Sequence, residues 1–315
     1  MIEDAVRFGA TQSLVGILTT PSDRDADGGL PAVILLNSGL VHRPGPNRIY
    51  VKIARSLAAM GYAALRFDFS GIGDSGVRED NLPFARSCVI ETQEAMDFLN
   101  THQGSNTFIL MGICSGALAS LRTARQDPRV VGAVLINPAY HLHDRDDADL
   151  DATLINRTQA RHYWRILLRS SFRGKGLVRA LTGRIDYRTI LKAVMTAACG
   201  AARPQRQRAS TPEDAGADLL KLAKRGARVL HVCSEGDPSS DYLRTVLGSR
   251  LDEWRASGLL ELEVIPGTNH TFMLLEHQEY LVHVVRDWAR SLTQHKERAC
   301  RRAPDTPLSD PEDRI

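Results

Sequence analysis

The chain has 315 residues, of which 43% are hydrophobic and 24% charged, with a net charge of +3. That length suits one large α/β domain with an insertion, or two small domains, and the composition is that of an ordinary soluble globular protein without internal repeats. Five widely spaced cysteines (Cys88, Cys114, Cys199, Cys233, Cys300) form no paired metal-ligand pattern, so no metal or cofactor is expected. A reducing cytoplasm suits an odd number of thiols. No run approaches the apolar length of a membrane span, and Met1-Ile2-Glu3-Asp4 starts acidic rather than as a signal peptide, so a cytoplasmic protein is expected.

In chain order, residues 6–8 and 13–18 read as opening strands and 31–37 as a buried strand. Residues 48–60 carry apolar side chains at helical spacing, and Gly61 stops that helix. Residues 63–67 form the next strand, followed by the turn-rich Asp68-Phe69-Ser70-Gly71-Ile72-Gly73-Asp74-Ser75-Gly76. A helix over 86–102 precedes the apolar run Thr107-Phe108-Ile109-Leu110-Met111, and 117–125 is helix-like. Strands follow at 130–136, 227–233 and 260–265, with helices over 241–256 and 274–292. Strands alternating with helices predict a mostly parallel sheet covered on both faces.

Between residues 136 and 227 the alternation lapses for too long a stretch to be a plain connection, which predicts a helical lid over 141–215 between two parts of a core, 1–140 and 216–294. Residues 152–212 carry thirteen Arg and Lys against Asp186 alone; +12 within a chain of +3 leaves −9 for the remainder. So one-sided a charge suggests attraction to something anionic: coenzyme A phosphates, an acidic acyl carrier protein or a membrane surface. Equally, these arginines could pair with core acids or with Asp144, Asp146, Asp147, Asp149 and Asp151 just upstream. No nucleic-acid-binding module accompanies the charge. Residues 295–315 mix charge and proline with little apolar content and read as a disordered tail.

The pentad Gly112-Ile113-Cys114-Ser115-Gly116 lies between a strand and a helix, the setting of a nucleophile elbow. Glycines two before and two after keep side chains from colliding in a strained turn. That frame centres on Cys114; centring on Ser115 would put Ile113 and Ala117, both with a Cβ, at the flanks. The plain alternative for Cys114 is a small buried hydrophobe. Two later residues favour chemistry: Asp237, in the loop after the 227–233 strand, and His270, ending the 260–265 strand, complete the order nucleophile, acid, histidine. Glu235 and Asp241 are rivals for the acid.

These residues together resemble the α/β-hydrolase superfamily over residues 5–292, including the segment Arg66-Phe67-Asp68-Phe69-Ser70-Gly71-Ile72-Gly73-Asp74-Ser75. More narrowly, Leu40-Val41-His42-Arg43-Pro44-Gly45-Pro46-Asn47-Arg48, the elbow and Gly267-Thr268-Asn269-His270-Thr271-Phe272 are similar to bacterial hydrolases associated with exosortase and exopolysaccharide loci. Cysteine at the elbow also resembles dienelactone hydrolases and polyhydroxyalkanoate synthases. The resemblance implies an α/β-hydrolase fold and backbone oxyanion donors at Ser115 and Leu40; Gly39 either leaves room for a substrate to approach or is a plain turn glycine. The family's usual His-Gly is here Asn37-Ser38-Gly39, a departure at the oxyanion loop. His42, Arg43 and Arg48 flank that loop, where they either meet an anionic substrate group or serve as surface charge and helix-start packing.

On this reading Cys114 forms an acyl-enzyme, His270 moves the proton and Asp237 fixes the imidazole tautomer. Thiol attack on a thioester exchanges one thioester for another with little free-energy change, so an acyl thioester of coenzyme A or a carrier protein is the expected substrate. The same triad would also serve an ester or lactone hydrolase, or a polymer synthase. A non-catalytic binding module would typically lack a triad member, and here each position is filled.

Overall fold

A computed structural model describes residues 1–22, 29–80, 82–140 and 215–302. Among them eight strands form one sheet: β1 (Ile2–Phe8), β2 (Leu14–Thr20), β3 (Ala32–Leu36), β4 (Ala64–Asp68), β5 (Phe108–Ile113), β6 (Val130–Ile136), β7 (Arg228–Ser234) and β8 (Leu260–Ile265). Their order is β1-β2-β4-β3-β5-β6-β7-β8. The first two strands pair antiparallel, β2 pairs antiparallel with β4, and every later pairing is parallel. The helices are α1 (Ile49–Ala58), α2 (Phe84–Gln103), α3 (Ser115–Gln126), α4 (Ala215–Lys224), α5 (Pro238–Leu247), α6 (Arg250–Ala256) and α7 (Leu275–Arg302).

The central strands are unbroken apolar runs because both of their faces are covered. In β3, Ile34 and Leu36 join Leu110, Leu121 and Leu219 in one core, while Val33 and Leu35 join Ile53, Met111 and Trp288 in the other. Helices α2, α3 and α4 contribute to the first core, α1 and α7 to the second. The C-terminal ends of β3, β5, β6, β7 and β8 therefore open together on one edge, where ligands of open α/β sheets bind.

Three expectations about elements need correction. The single helix expected over 241–256 is two helices, because Gly248 takes a left-handed φ of 53° and ends α5. Helix α5 also starts earlier, with Asp237 as its N-cap and Pro238 in its first turn. The closing helix runs to Arg302, into the stretch expected to be a disordered tail from 295; residues 303–315 lie outside the described residues. Helix α4 buries Ala215, Leu219 and Leu222 and returns the chain to the core, with Asp218 paired to Arg125 at 3.3 Å. The expected lid at 141–214, and with it the basic segment and Cys199, lies outside the described residues. Among the described residues no helix is long and apolar enough to cross a membrane.

Candidate active site

Residue Cys114 sits between β5 and α3 with φ 59° and ψ −117°, a backbone conformation that a residue with a Cβ rarely adopts. Its neighbours enforce it. A Cβ on Gly112 would lie 2.2 Å from the Gly116 carbonyl carbon, and one on Gly116 would lie 2.5 Å from the carbonyl oxygens of both Leu36 and Asn37. Real side chains never approach so closely, so the glycine spacing is a packing requirement of the turn. The Cys114 amide donates to the Ile136 carbonyl at 2.9 Å. One residue earlier, the Ile113 amide donates to the hydroxyl of buried Tyr50, which itself donates to the Leu36 carbonyl. The elbow is thus clamped to β3, β6 and α1, and Cys114 remains half-buried at its apex.

The other two residues of the expected set converge there. His270 Nδ1 lies 3.0 Å from Asp237 Oδ2, with the carboxylate buried and the imidazole half-exposed. The hydrogen bond to Asp237, followed by interaction with the Cys114 side chain, pushes the His270 pKa up to about 10. Burial alone would raise the Asp237 carboxyl, but hydrogen bonds from His270 and Ser239 outweigh it and hold the pKa below its usual value. Of the rival acids, Glu235 accepts from the Gly267 amide at 2.9 Å, and Asp241 lies in the first turn of α5, while the carboxylate meeting His270 is that of Asp237.

The loop after β3 is held over the elbow. The Gly39 amide donates to Ser115 Oγ at 2.7 Å, so that hydroxyl is engaged by the loop after β3 while Cys114 occupies the apex of the turn. Leu40 is 85% exposed, and among the described residues its amide has no acceptor. Asn37, standing where the family places histidine, donates to the Val41 carbonyl and to buried Asp68, and accepts from the Phe69 amide. Arg43, expected beside the substrate, is instead committed to carboxylates: its guanidinium pairs with Asp68 and Asp74, and its amide donates to Asp68 at 2.6 Å. Its charge is balanced within the protein, and it shapes the loop. His42 is exposed, its carbonyl closing a turn with the Gly45 amide.

Two residues went unnoticed in the sequence. Asn137 directly follows β6; its Nδ2 donates to the His270 carbonyl at 3.0 Å, and its Oδ1 accepts from the Ser234 amide at 2.7 Å. Ser239 donates to Asp237 Oδ1 through both its amide and its hydroxyl. An Asp-Pro-Ser start is an N-cap signature, so Ser239 was findable; nothing local distinguishes Asn137, whose partners are about a hundred residues away.

Beside the histidine loop runs a groove of about 530 Å³ lined by Asn47, Arg48, Lys52, Arg55, Met273 and Leu275 among others, and among the described residues no carboxylate lines it. Asn47 Nδ2 donates to the Thr271 carbonyl, tying the groove to the residue after His270. Lys52 Nζ donates to the neutral amide of Gln278, and Arg55 is paired with Glu3.

The chain is similar in fold to solved α/β-hydrolase structures. A dienelactone hydrolase from Anabaena variabilis is 15% identical, with 91% of this chain and 96% of that one covered and a TM-score of 0.54. An esterase from Pyrococcus furiosus is 14% identical, with 92% and 91% covered and a TM-score of 0.55. A proline iminopeptidase from Mycobacterium smegmatis is 18% identical, with 95% and 100% covered and a TM-score of 0.53. No curated protein matches the chain. The model of the alpha/beta hydrolase family matches residues 33–284, which hold the elbow, Asp237 and His270, and the chain belongs to that family.

Proposed function

We propose that the protein is a hydrolase or acyltransferase acting on an acyl thioester through a Cys114 acyl-enzyme. The observation that carries this reading is a cysteine at the strained apex of the elbow, beside a histidine whose other nitrogen meets a buried carboxylate. His270 Nδ1 faces Asp237, so Nε2 is the nitrogen left to take the Cys114 proton. Sulfur then adds to the thioester carbonyl, and the oxyanion takes hydrogen bonds from the Ser115 and Leu40 amides. As the acyl group transfers, the carbon–sulfur bond to the carrier breaks and the carrier thiolate takes the proton back from His270. Water, an alcohol or an amine, deprotonated by His270, releases the acyl group from Cys114. Gly39 and His42 lie on the loop that the substrate passes. Arg43 acts on that loop from behind, through Asp68.

Coenzyme A or an acyl carrier protein is the carrier we favour. The groove between α1 and the histidine loop presents Arg48 and Lys52, with no lining carboxylate among the described residues, and Met273 and Leu275 give it apolar surface. The basic composition of residues 152–212 supports the same choice on charge alone. A cytoplasmic setting, where thiols stay reduced, belongs to this reading, as does the likeness to hydrolases of exosortase and exopolysaccharide loci.

The test is incubation with a panel of acyl-coenzyme A thioesters, with intact-mass measurement and peptide mapping. An acyl adduct on Cys114, absent from Cys114→Ala, is expected. Thiol release no faster than with Cys114→Ala, while aryl esters turn over well, overturns the thioester assignment. It would favour the second reading, an ester or lactone hydrolase with the same three residues, which the names of the dienelactone hydrolase and esterase neighbours support.

A further inference from the structure

Strand β7 brings polar side chains to the acid that the acyl-transfer chemistry leaves unused. His231 and Cys233, two apart, are both buried, and Ser239 lies two residues beyond Asp237 in the first turn of α5. Their polar atoms form a continuous line. His231 Nδ1 is 3.2 Å from Cys233 Sγ, Cys233 Sγ is 3.3 Å from Ser239 Oγ, and Ser239 Oγ is 2.5 Å from Asp237 Oδ1. The opposite oxygen, Oδ2, faces His270.

Donor chemistry fixes the direction of every link. An ionised carboxylate only accepts, so the Ser239 hydroxyl hydrogen points at Asp237 and its lone pairs face Cys233. Burial pushes the Cys233 thiol up to about 12, so its hydrogen is present, and only when it points at Ser239 are all three contacts hydrogen bonds. The Cys233 sulfur then accepts, which places the His231 hydrogen on Nδ1; burial pushes that imidazole down to about 4, so it carries only one. Nε2 of His231 is left as a bare acceptor, and it is the ring nitrogen that has no partner among the described residues. Stacking of the ring against Tyr140 at 5.8 Å holds its plane. One tautomer and one set of donors satisfy the whole line, and all bonds run toward Asp237.

We propose that His231, Cys233 and Ser239 form a buried one-way hydrogen-bond relay that keeps Asp237 ionised with Oδ2 turned to His270. They are positioning residues, and none touches the reacting atoms. Their importance should fall along the line, since the hydroxyl bond to a carboxylate is charge-assisted and the thiol links are weak. The other charged groups acting there are Arg244 and Asp241, felt by Cys233, and His270, felt by Asp237.

The role in catalysis rests on the triad reading above, so the decisive measurement needs no turnover. It is the ¹³C NMR titration of the Asp237 carboxyl in the full-length protein, identified by its loss in Asp237→Asn. Ser239→Ala removes the hydroxyl and keeps the amide bond; the Asp237 pKa should rise by about one unit. Cys233→Val, similar in shape but without a donor, should raise it by less, and Cys233→Ser should restore the parent value. On the thioester substrate, Ser239→Ala should lower kcat by about tenfold with KM unchanged. An Asp237 titration in folded Ser239→Ala that overlays the parent overturns the relay. Should Ser239→Ala not fold, the cysteine pair decides: identical Asp237 titrations in Cys233→Val and Cys233→Ser overturn it, whereas separation of the two supports it. A relay confirmed by NMR in a protein that forms no acyl-Cys114 would leave the relay standing and remove the catalytic reading.

Discussion

Asn137 Nδ2 donates to the backbone carbonyl of His270 at 3.0 Å, which joins the end of β6 to a loop 133 residues later in the chain. The same side chain takes the Ser234 amide on its Oδ1, so one buried amide spaces the β7 turn carrying Asp237 from the β8 loop carrying His270. Asn137→Ala should destabilise the protein by about 2 kcal/mol, since it leaves a buried Ser234 amide and the His270 carbonyl unpartnered. Urea unfolding measures this. Asn137→Asp keeps the acceptor for Ser234 and loses the donor to His270, so it should lower acyl transfer more than it lowers stability.

The elbow stores strain at Cys114. Replacing it with glycine relieves a positive φ worth about 1–3 kcal/mol, against an entropic penalty of about 0.5–1 kcal/mol. Cys114→Gly should therefore melt above the parent, while Cys114→Ala, which keeps a Cβ in the same backbone, should not. Calorimetry compares the two. Gly116→Ala, whose added methyl would meet two backbone carbonyls at 2.5 Å, should cost at least about 3 kcal/mol.

Acid should act on His231. Its folded pKa of about 4 lies below the ordinary 6.5, so between those values the unfolded chain binds a proton that the folded one does not. Stability should fall as pH drops through that window, by roughly 3 kcal/mol at most. Urea midpoints at pH 6.5 and pH 4 measure the loss, and His231→Phe should flatten it. His270 has the opposite sense: raised to about 10, it contributes stability that is full below pH 6.5 and is lost as pH rises through 10.

Charge reversal in the groove tests the carrier. Arg48→Glu and Lys52→Glu should each raise KM for acyl-coenzyme A by about tenfold, equivalent to about 1.4 kcal/mol. They should leave KM for an uncharged aryl thioester unchanged. The effect should shrink at high salt, because the attraction is between solvated charges. Steady-state kinetics on both substrates reads it.

The alternation of apolar strands and helices, the glycine spacing around Cys114 and the chain order of Cys114, Asp237 and His270 are local or ordered features, so composition and spacing alone were enough to expect a parallel sheet and a nucleophile at its edge. Local pattern also sufficed to favour Cys114 over Ser115, because a Cβ is a property of each residue. Which carboxylate meets His270 depended on a contact spanning 33 residues, and only the fold placed Asp237 there while giving Glu235 to the Gly267 amide. Arg43 shows the converse: its sequence neighbours suggested a substrate contact, but burial of Asp68 beneath it demanded a counter-charge, and the tertiary structure decided the pairing. Asn137, the approach of His231 and Cys233 to Ser239 and the groove beside α1 have no sequence signature. Their meaning comes from groups that burial and strand order bring together, and periodicity along a chain carries no information about that.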